Sequence, residues 1–247
     1  MSGVPVELDA ALVEFAARRP LLVASDYDGV LARLRDDPSA AVPEPGVAGA
    51  LGRLAAVPGV TVALVSGRGV ADLQVTSGLS GPFRWVGSHG EEFDGPLSGE
   101  LAERRDGLAE LLGPVVAGVP AARLEIKPAS VAVHVRQVSD RQAAAALLDQ
   151  AASLVDSSLT LKPGKDVLEI TLTDADKGTA LRRLVAELGA SAAMYLGDDV
   201  TDEDGFRALR PDDLTVKIGD GPTAARYRVA DTAGALAVLR RLGDLLG

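Results

Sequence analysis

Apolar and polar positions alternate along the chain in two rhythms, and the rhythm changes twice. From Val6 to Ala17 the apolar residues recur at helical spacing, with Leu8, Leu12 and Phe15 on one side. Leu21 to Ser25 is then a short apolar run ending at Asp26, the pattern of a strand buried on both faces of a parallel sheet. After the breakers Pro43, Pro45 and Gly46, a helix is expected over Val47–Val57 and a second buried strand over Val60–Val65. A helix over Val70–Ser77 and a short strand over Arg84–Val86 complete this stretch. Such alternation predicts a parallel α/β sheet.

Beyond about Gly95 the pattern is different. A helix over Leu101–Val116 precedes two strand pairs that flank a further helix, Gln142–Val155. The first pair, Leu124–Lys127 and Val131–Arg136, brackets a Pro-Ala-Ser turn; the second, Leu159–Lys162 and Val167–Ile170, brackets a Pro-Gly-Lys turn. These strands alternate apolar and polar residues, so one face of each is covered and the other is open. The α/β rhythm then resumes, with helices over Lys177–Leu188, Val200–Leu209 and Ala233–Leu242. Strands are expected over Ala192–Leu196, Leu214–Ile218 and Tyr227–Val229. The expected architecture is a doubly wound, Rossmann-like parallel-sheet core (1–96 and 174–247) interrupted by an α+β module (97–173). No tandem repeat or low-complexity segment is present.

Four polar clusters fall at the carboxyl ends of the expected core strands or at helix starts. They are Asp26-Tyr27-Asp28-Gly29, Ser66-Gly67-Arg68, Asp176-Lys177-Gly178 and Gly197-Asp198-Asp199. In an open α/β sheet the ligand crevice lies outside those strand ends, so clusters far apart in sequence can converge there.

Composition narrows the chemistry. The 247 residues carry 35 acidic and 25 basic side chains, a formal charge of −10, with no Cys and two His, His89 and His134. Disulfides, thiolate zinc sites and a Cys nucleophile are excluded. A net negative chain is a poor candidate for general nucleic-acid binding. No run of about 18 apolar residues is present, so no membrane association is expected. Met1 to Pro20 carries Glu7, Asp9 and Glu14 and lacks a basic region before an apolar run. No targeting signal and no second catalytic domain are therefore expected, a cytoplasmic location is the default, and no protein partner is indicated.

Each cluster alone has a plain reading: capping aspartates, an N-cap serine, a surface lysine, an acidic loop. Combined, they suggest more. Asp26 and Asp28 are adjacent carboxylates whose repulsion a hard cation such as Mg²⁺ relieves, with Asp198 supplying a further oxygen. Ser66 with backbone N–H groups at a helix start makes an anion pocket. Lys177 opens a helix, where a positive charge opposes the helix dipole, which favours a role in balancing negative charge. Gly197 to Asp204 holds five acids in eight residues. Two carboxylates, a hydroxyl, a lysine and a cation-binding acid form a phosphoryl-transfer site.

These motifs, in this order, resemble the haloacid-dehalogenase-like phosphatases, with the inserted module placed as in the branch that carries an α/β cap. More narrowly, residues 21–242 resemble the trehalose-6-phosphate phosphatases. That likeness rests on Val65–Arg68, Gly87–Glu92, Glu125–Lys127, His134–Arg136, Lys162–Lys165, Val167–Ile170, Asp176–Gly178 and Gly197–Glu203. The resemblance implies Mg²⁺-dependent hydrolysis of trehalose 6-phosphate, in trehalose biosynthesis, through an aspartyl-phosphate. Asp26 is then nucleophile and metal ligand. Asp28 is acid and base, its carbonyl on the metal; Ser66 and Lys177 bind the phosphoryl oxygens. Asp198 completes the protein's share of the metal shell. Asp199 and Asp202 orient Lys177 or metal-bound water. Val30 departs from the Thr common in relatives and puts one supporting hydrogen bond in question. In the cap, Glu125, Lys127 and Glu169 are the favoured sugar contacts, with His134, Arg136 and Lys162 beside them; Gly67, Arg68 and His89 join on the core side. Capped phosphatases acting on sucrose phosphate or a mannosyl-phosphoglycerate share the core motifs. A phosphomutase, a receiver-like signalling module and a non-catalytic phosphate binder fit less of the pattern.

Overall fold

In the computed structural model, which describes residues 3–247, the central strand is β1 (Leu21–Ser25), and all five of its residues are buried. Successive side chains point to opposite faces of a sheet, and here both faces are apolar. Leu21 and Val23 join one core cluster, Leu22 and Ala24 another. That double burial requires helices on both sides, and the chain supplies them. The first cluster is completed by α1 (Val6–Ala16), α2 (Val47–Ala55) and α8 (Thr232–Leu246). The second is completed by α6 (Lys177–Leu188) and α7 (Asp202–Ala208).

The chain runs outward from β1 through β2 (Val60–Val65), α3 (Val70–Ser77) and β3 (Arg84–Gly87). It returns on the other side of β1 as β9 (Ala192–Gly197), β10 (Leu214–Ile218) and β11 (Tyr227–Val229). With β4 (Glu92–Phe93) at the far edge, the order in this seven-stranded sheet is β11-β10-β9-β1-β2-β3-β4. All pairs are parallel except β3–β4. The order reverses between β1 and β9, which places the crevice of a doubly wound sheet at their carboxyl ends, directly above Asp26 and Asp198.

β4 has no counterpart in the hydrophobic pattern. It is two residues long and forms because Ser88, His89 and Gly90 take φ of 50°, 58° and 117°, turning the chain back along β3. The expected helix over Val47–Val57 stops at Ala55, because Pro58 disfavours helical geometry in the residue before it. The helix expected from Val200 starts at Asp202, whose carboxylate instead accepts the N–H groups of Asp198 and Asp199 and holds the preceding turn open.

Two compact units make up the chain: residues up to Gly95 with Ala175–Gly247, and Pro96–Asp174. Met1 and Ser2, which open the expected core segment, lie outside the described residues. The second unit is an antiparallel sheet of order β5-β6-β8-β7: β5 (Arg123–Ile126), β6 (Ser130–His134), β8 (Val167–Thr171) and β7 (Thr160–Gly164). Val131, Val133, Leu168 and Ile170 pack on α4 (Gly99–Ala117) and α5 (Arg141–Leu154). The expected Pro-Gly-Lys turn is corrected: Pro163 and Gly164 belong to β7, and the turn is Lys165–Asp166. β7 is an edge strand, where a proline's missing N–H is tolerated. Arg136 is likewise not on β6. The strand ends at His134, and the turn closed by Val138 N–H on the Val135 carbonyl carries Arg136 outward, exposed. Among the described residues no helix is long and apolar enough to cross a membrane.

Leu64, fully buried in β2, tests the double-faced core. Leu64→Ala is expected to lower unfolding free energy by about 2–5 kcal/mol, measured by urea titration.

Candidate active site

Lys177 is the first residue of α6, and its side chain points into the protein, 2% exposed. The helix start does not depend on it. Asp176 caps the helix, exchanging hydrogen bonds with Thr179 in a capping box. The Lys177 ammonium donates to Asp26 Oδ2 and to Asp202 Oδ1, both at 2.7 Å. Burial works against its charge, and the two carboxylates outweigh that effect, so its pKa lies above the ordinary lysine value.

Asp26 follows β1 and Asp198 follows β9, adjacent parallel strands. One oxygen each from Asp26, Asp198 and Asp202 lie within 4.8 Å of one another. Asp202 is already committed. Its Oδ1 accepts from Lys177 and from Tyr195 Oη (2.6 Å), and its Oδ2 accepts the N–H groups of Asp198 (2.8 Å) and Asp199 (2.9 Å). Four donors use up the lone pairs of one carboxylate. Asp26 carries one donor on each oxygen, from Tyr27 N–H (2.6 Å) and from Lys177, and so keeps accepting capacity. Burial, aided by the Asp202 charge and opposed by Lys177, pushes the Asp26 carboxyl up; burial, then Asp202 and Asp199, push Asp198 up to about 6. Gathered carboxylate charge with free oxygens is the donor set of a hard cation, which Asp26 and Asp198 could hold. Gly29 gives Asp198 its room: at φ +77°, a Cβ there would fall 2.0 Å from Asp198 Oδ2.

Asp28 lies on the same cleft, held by Arg68 in a two-pronged pair, Nε to Oδ2 at 2.6 Å and Nη2 to Oδ1 at 2.9 Å. Arg68 is itself fixed by Asp72 (3.0 Å) and the Pro38 carbonyl (2.7 Å). A cleft of about 570 Å³ is lined by Asp26, Asp28, Lys177 and Asp198, and also by Ser66, Gly67, Arg68, His89 and Asp199. Asp202 lies buried behind it. His89, in its left-handed conformation, sits against Gly67, where a Cβ would meet its ring at 2.5 Å. Asp199 is exposed and, among the described residues, accepts from Val200 N–H, whereas Asp202 holds Lys177.

The plain N-cap reading of Ser66 does not hold: α3 begins at Val70, as its pattern predicts, with Gly69 at the N-cap position, and the Val70 N–H is taken by Glu92 Oε2 (2.7 Å). The buried Ser66 hydroxyl instead accepts from Arg68 N–H (3.1 Å). The Val70 N–H is therefore not offered to the cleft, which Ser66 lines directly after β2.

In the second unit, register sets Glu125, Ala132, Glu169 and Lys162 in one row across all four strands on the face opposite the helices. Glu125 pairs with His134 (2.7 Å). Glu169 accepts from Lys127 (3.0 Å) and Ser130 (2.6 Å). Burial raises the Glu169 carboxyl, and these hydrogen bonds outweigh it, leaving it below its ordinary value. Glu125, Lys127 and Glu169 are thus gathered on one face with His134 and Lys162, and Arg136 is not among them.

Sequence reasoning missed Tyr195, Lys217 and Glu92, all buried. Tyr195 reads as one more apolar strand residue. Lys217 left a signal: it is the one lysine outside the cap hairpins and the Asp-Lys-Gly cluster.

A sequence model described as trehalose-phosphatase matches residues 24–233. The chain belongs to the trehalose-phosphatase family. A bifunctional trehalose-6-phosphate synthase/phosphatase of Thermoproteus tenax is 33% identical over 96% of this chain, which spans 34% of that relative. A trehalose-phosphate phosphatase of Mycobacterium marinum is 35% identical over 86% of this chain, which spans 60% of it. The chain thus spans less than two thirds of these relatives. A crystal structure of the Aspergillus fumigatus trehalose-6-phosphate phosphatase superposes with a TM-score of 0.77 at 26% identity, over 96% of this chain and 97% of that one.

Gly29→Ala combines an unfavourable φ with a collision against Asp198. A loss of about 1–3 kcal/mol of stability is expected in thermal melts.

Proposed function

We propose that this chain hydrolyses trehalose 6-phosphate to trehalose and phosphate, as a Mg²⁺-dependent phosphatase in trehalose biosynthesis. The observation that carries the reading is the buried Asp26–Lys177–Asp202 cluster beside Asp198, at the strand ends of a member of this family.

In this reading an Asp26 oxygen attacks phosphorus, and the bond from phosphorus to the sugar oxygen breaks. That oxygen takes a proton from Asp28, leaving trehalose and an aspartyl-phosphate. Asp28 then accepts a proton from water, whose oxygen attacks phosphorus, and the bond to Asp26 breaks to free phosphate. Arg68 now grips both oxygens of Asp28, so Asp28 must turn from it to reach the sugar. Lys177 holds Asp26 in place, and Lys177 with the Ser66 hydroxyl receives the phosphoryl oxygens. Asp26, the Asp28 carbonyl and Asp198 are the groups that would hold Mg²⁺, which would supply positive charge against the phosphoryl group.

The polar face of the second unit is read as the sugar site. Glu125, Lys127 and Glu169 offer both donors and acceptors, as sugar hydroxyls require. His134 and Lys162 stand beside them, each across from an acid.

Asp26→Asn is expected to lower phosphate release from trehalose 6-phosphate by about 1,000-fold or more with the circular dichroism unchanged; substantial residual turnover would contradict the nucleophile. Glu125→Ala is expected to cost about tenfold or more in kcat/KM on trehalose 6-phosphate and little on p-nitrophenyl phosphate. Equal losses on both would remove Glu125 from the sugar site.

A further inference from the structure

Lys217 lies in β10, beside Gly197 of β9 in the sheet register, and is 5% exposed. Its ammonium donates to the backbone carbonyl of Asp198. Among the described residues it makes no ion pair, although carboxylates crowd this region. A buried ammonium that rests on a carbonyl rather than on a carboxylate carries a desolvation cost that no counter-charge in contact offsets. What it gains is geometric. The turn from Gly197 to Asp199 offers one carbonyl and two N–H groups inward, and all three are taken by side chains. Lys217 holds the Asp198 carbonyl, and Asp202 holds the Asp198 and Asp199 N–H groups at 2.8 and 2.9 Å. Asp202 is fully buried and tied in turn to Lys177 and Tyr195. The backbone of Asp198 is therefore gripped from both sides by groups rooted in different strands and helices.

We propose that Lys217 is a positioning residue of the cation site: its grip on the Asp198 carbonyl fixes the direction in which the Asp198 carboxylate is presented. The inference rests on the Mg²⁺ reading of the preceding subsection. It also makes an unusual prediction of sign. A lysine acting only through its charge repels a nearby divalent cation, so its removal tightens binding. A lysine acting through its grip on the turn leaves Asp198 mobile when removed, and binding weakens.

Calorimetric titration of metal-free protein with Mg²⁺ separates the two. Lys217→Met keeps an unbranched side chain, one atom shorter, and removes its donor. The expected result is a Kd for Mg²⁺ raised about tenfold or more, with the Asp198 and Asp199 amides exchanging hydrogen about tenfold faster or more. Mg²⁺ binding as tight as wild type, or tighter, overturns the proposal. Should Lys217→Met not fold, Lys217→Gln removes the charge and draws the donor back by one atom, and the same loss is expected by the same criterion. Wild-type protein that binds no Mg²⁺ defeats the cation reading and this inference together; wild-type binding with unaltered variant binding defeats the inference alone.

Discussion

A single ammonium group, Lys177 Nζ, bridges two carboxylates that have been taken out of water. Asp26 and Asp202 are each 5% exposed or less, and Asp198 is drawn in beside them. Removing charge from water is costly unless it is paired and hydrogen-bonded. Lys177 pairs two of the acids, Tyr195 and two backbone N–H groups finish Asp202, and Asp26 and Asp198 are left with oxygens to spare. The incomplete neutralisation is the functional point. It leaves Asp26 and Asp198 oxygens able to accept further, in a protein whose net charge is −10.

The fold explains how so much polarity can be buried at one point. Strands apolar on both faces must be covered on both, and that forces helices to each side of the sheet. The chain then reverses strand order between β1 and β9, so two acid-bearing strand ends lie side by side with no side chain needed to bring them there. α6 adds Lys177 from above, its start secured by the Asp176–Thr179 box rather than by the lysine. In the second unit the same logic runs in reverse. Only one face is covered, and the open face collects ion pairs such as Lys127–Glu169 and Glu125–His134. Those pairs hold donors and acceptors ready at fixed places.

Much of this is legible in the order of residues. Buried strands such as Leu21–Ser25 and Val60–Val65 announce themselves by unbroken apolar runs, and the acids that follow them must lie at the carboxyl edge. What is hidden from the pattern depends on three-dimensional closure. β4 exists because of three left-handed residues, not because of its own two. Pro163 enters a strand because that strand is at an edge, a fact known only once the order of the sheet is known. Ser66 reads as a helix cap, but Gly69 holds the N-cap position of α3, and Glu92 from β4 takes the Val70 N–H. Arg68 reads as a substrate-binding residue, and the sequence does not show that its guanidinium is held by Asp28, Asp72 and the Pro38 carbonyl. Lys217 and Tyr195 are hidden for the same reason: within their strands they occupy ordinary positions, and their partners come from elsewhere.

The proposed hydrolysis of trehalose 6-phosphate rests on the buried, incompletely neutralised carboxylate cluster. The measurement that bears on it most directly is phosphate release from a panel of sugar phosphates, with Mg²⁺ and with a chelator. Release from trehalose 6-phosphate is expected to require Mg²⁺ and far to exceed release from sucrose 6-phosphate. Equal or greater release from sucrose 6-phosphate, or release from trehalose 6-phosphate undiminished by chelation, would contradict it.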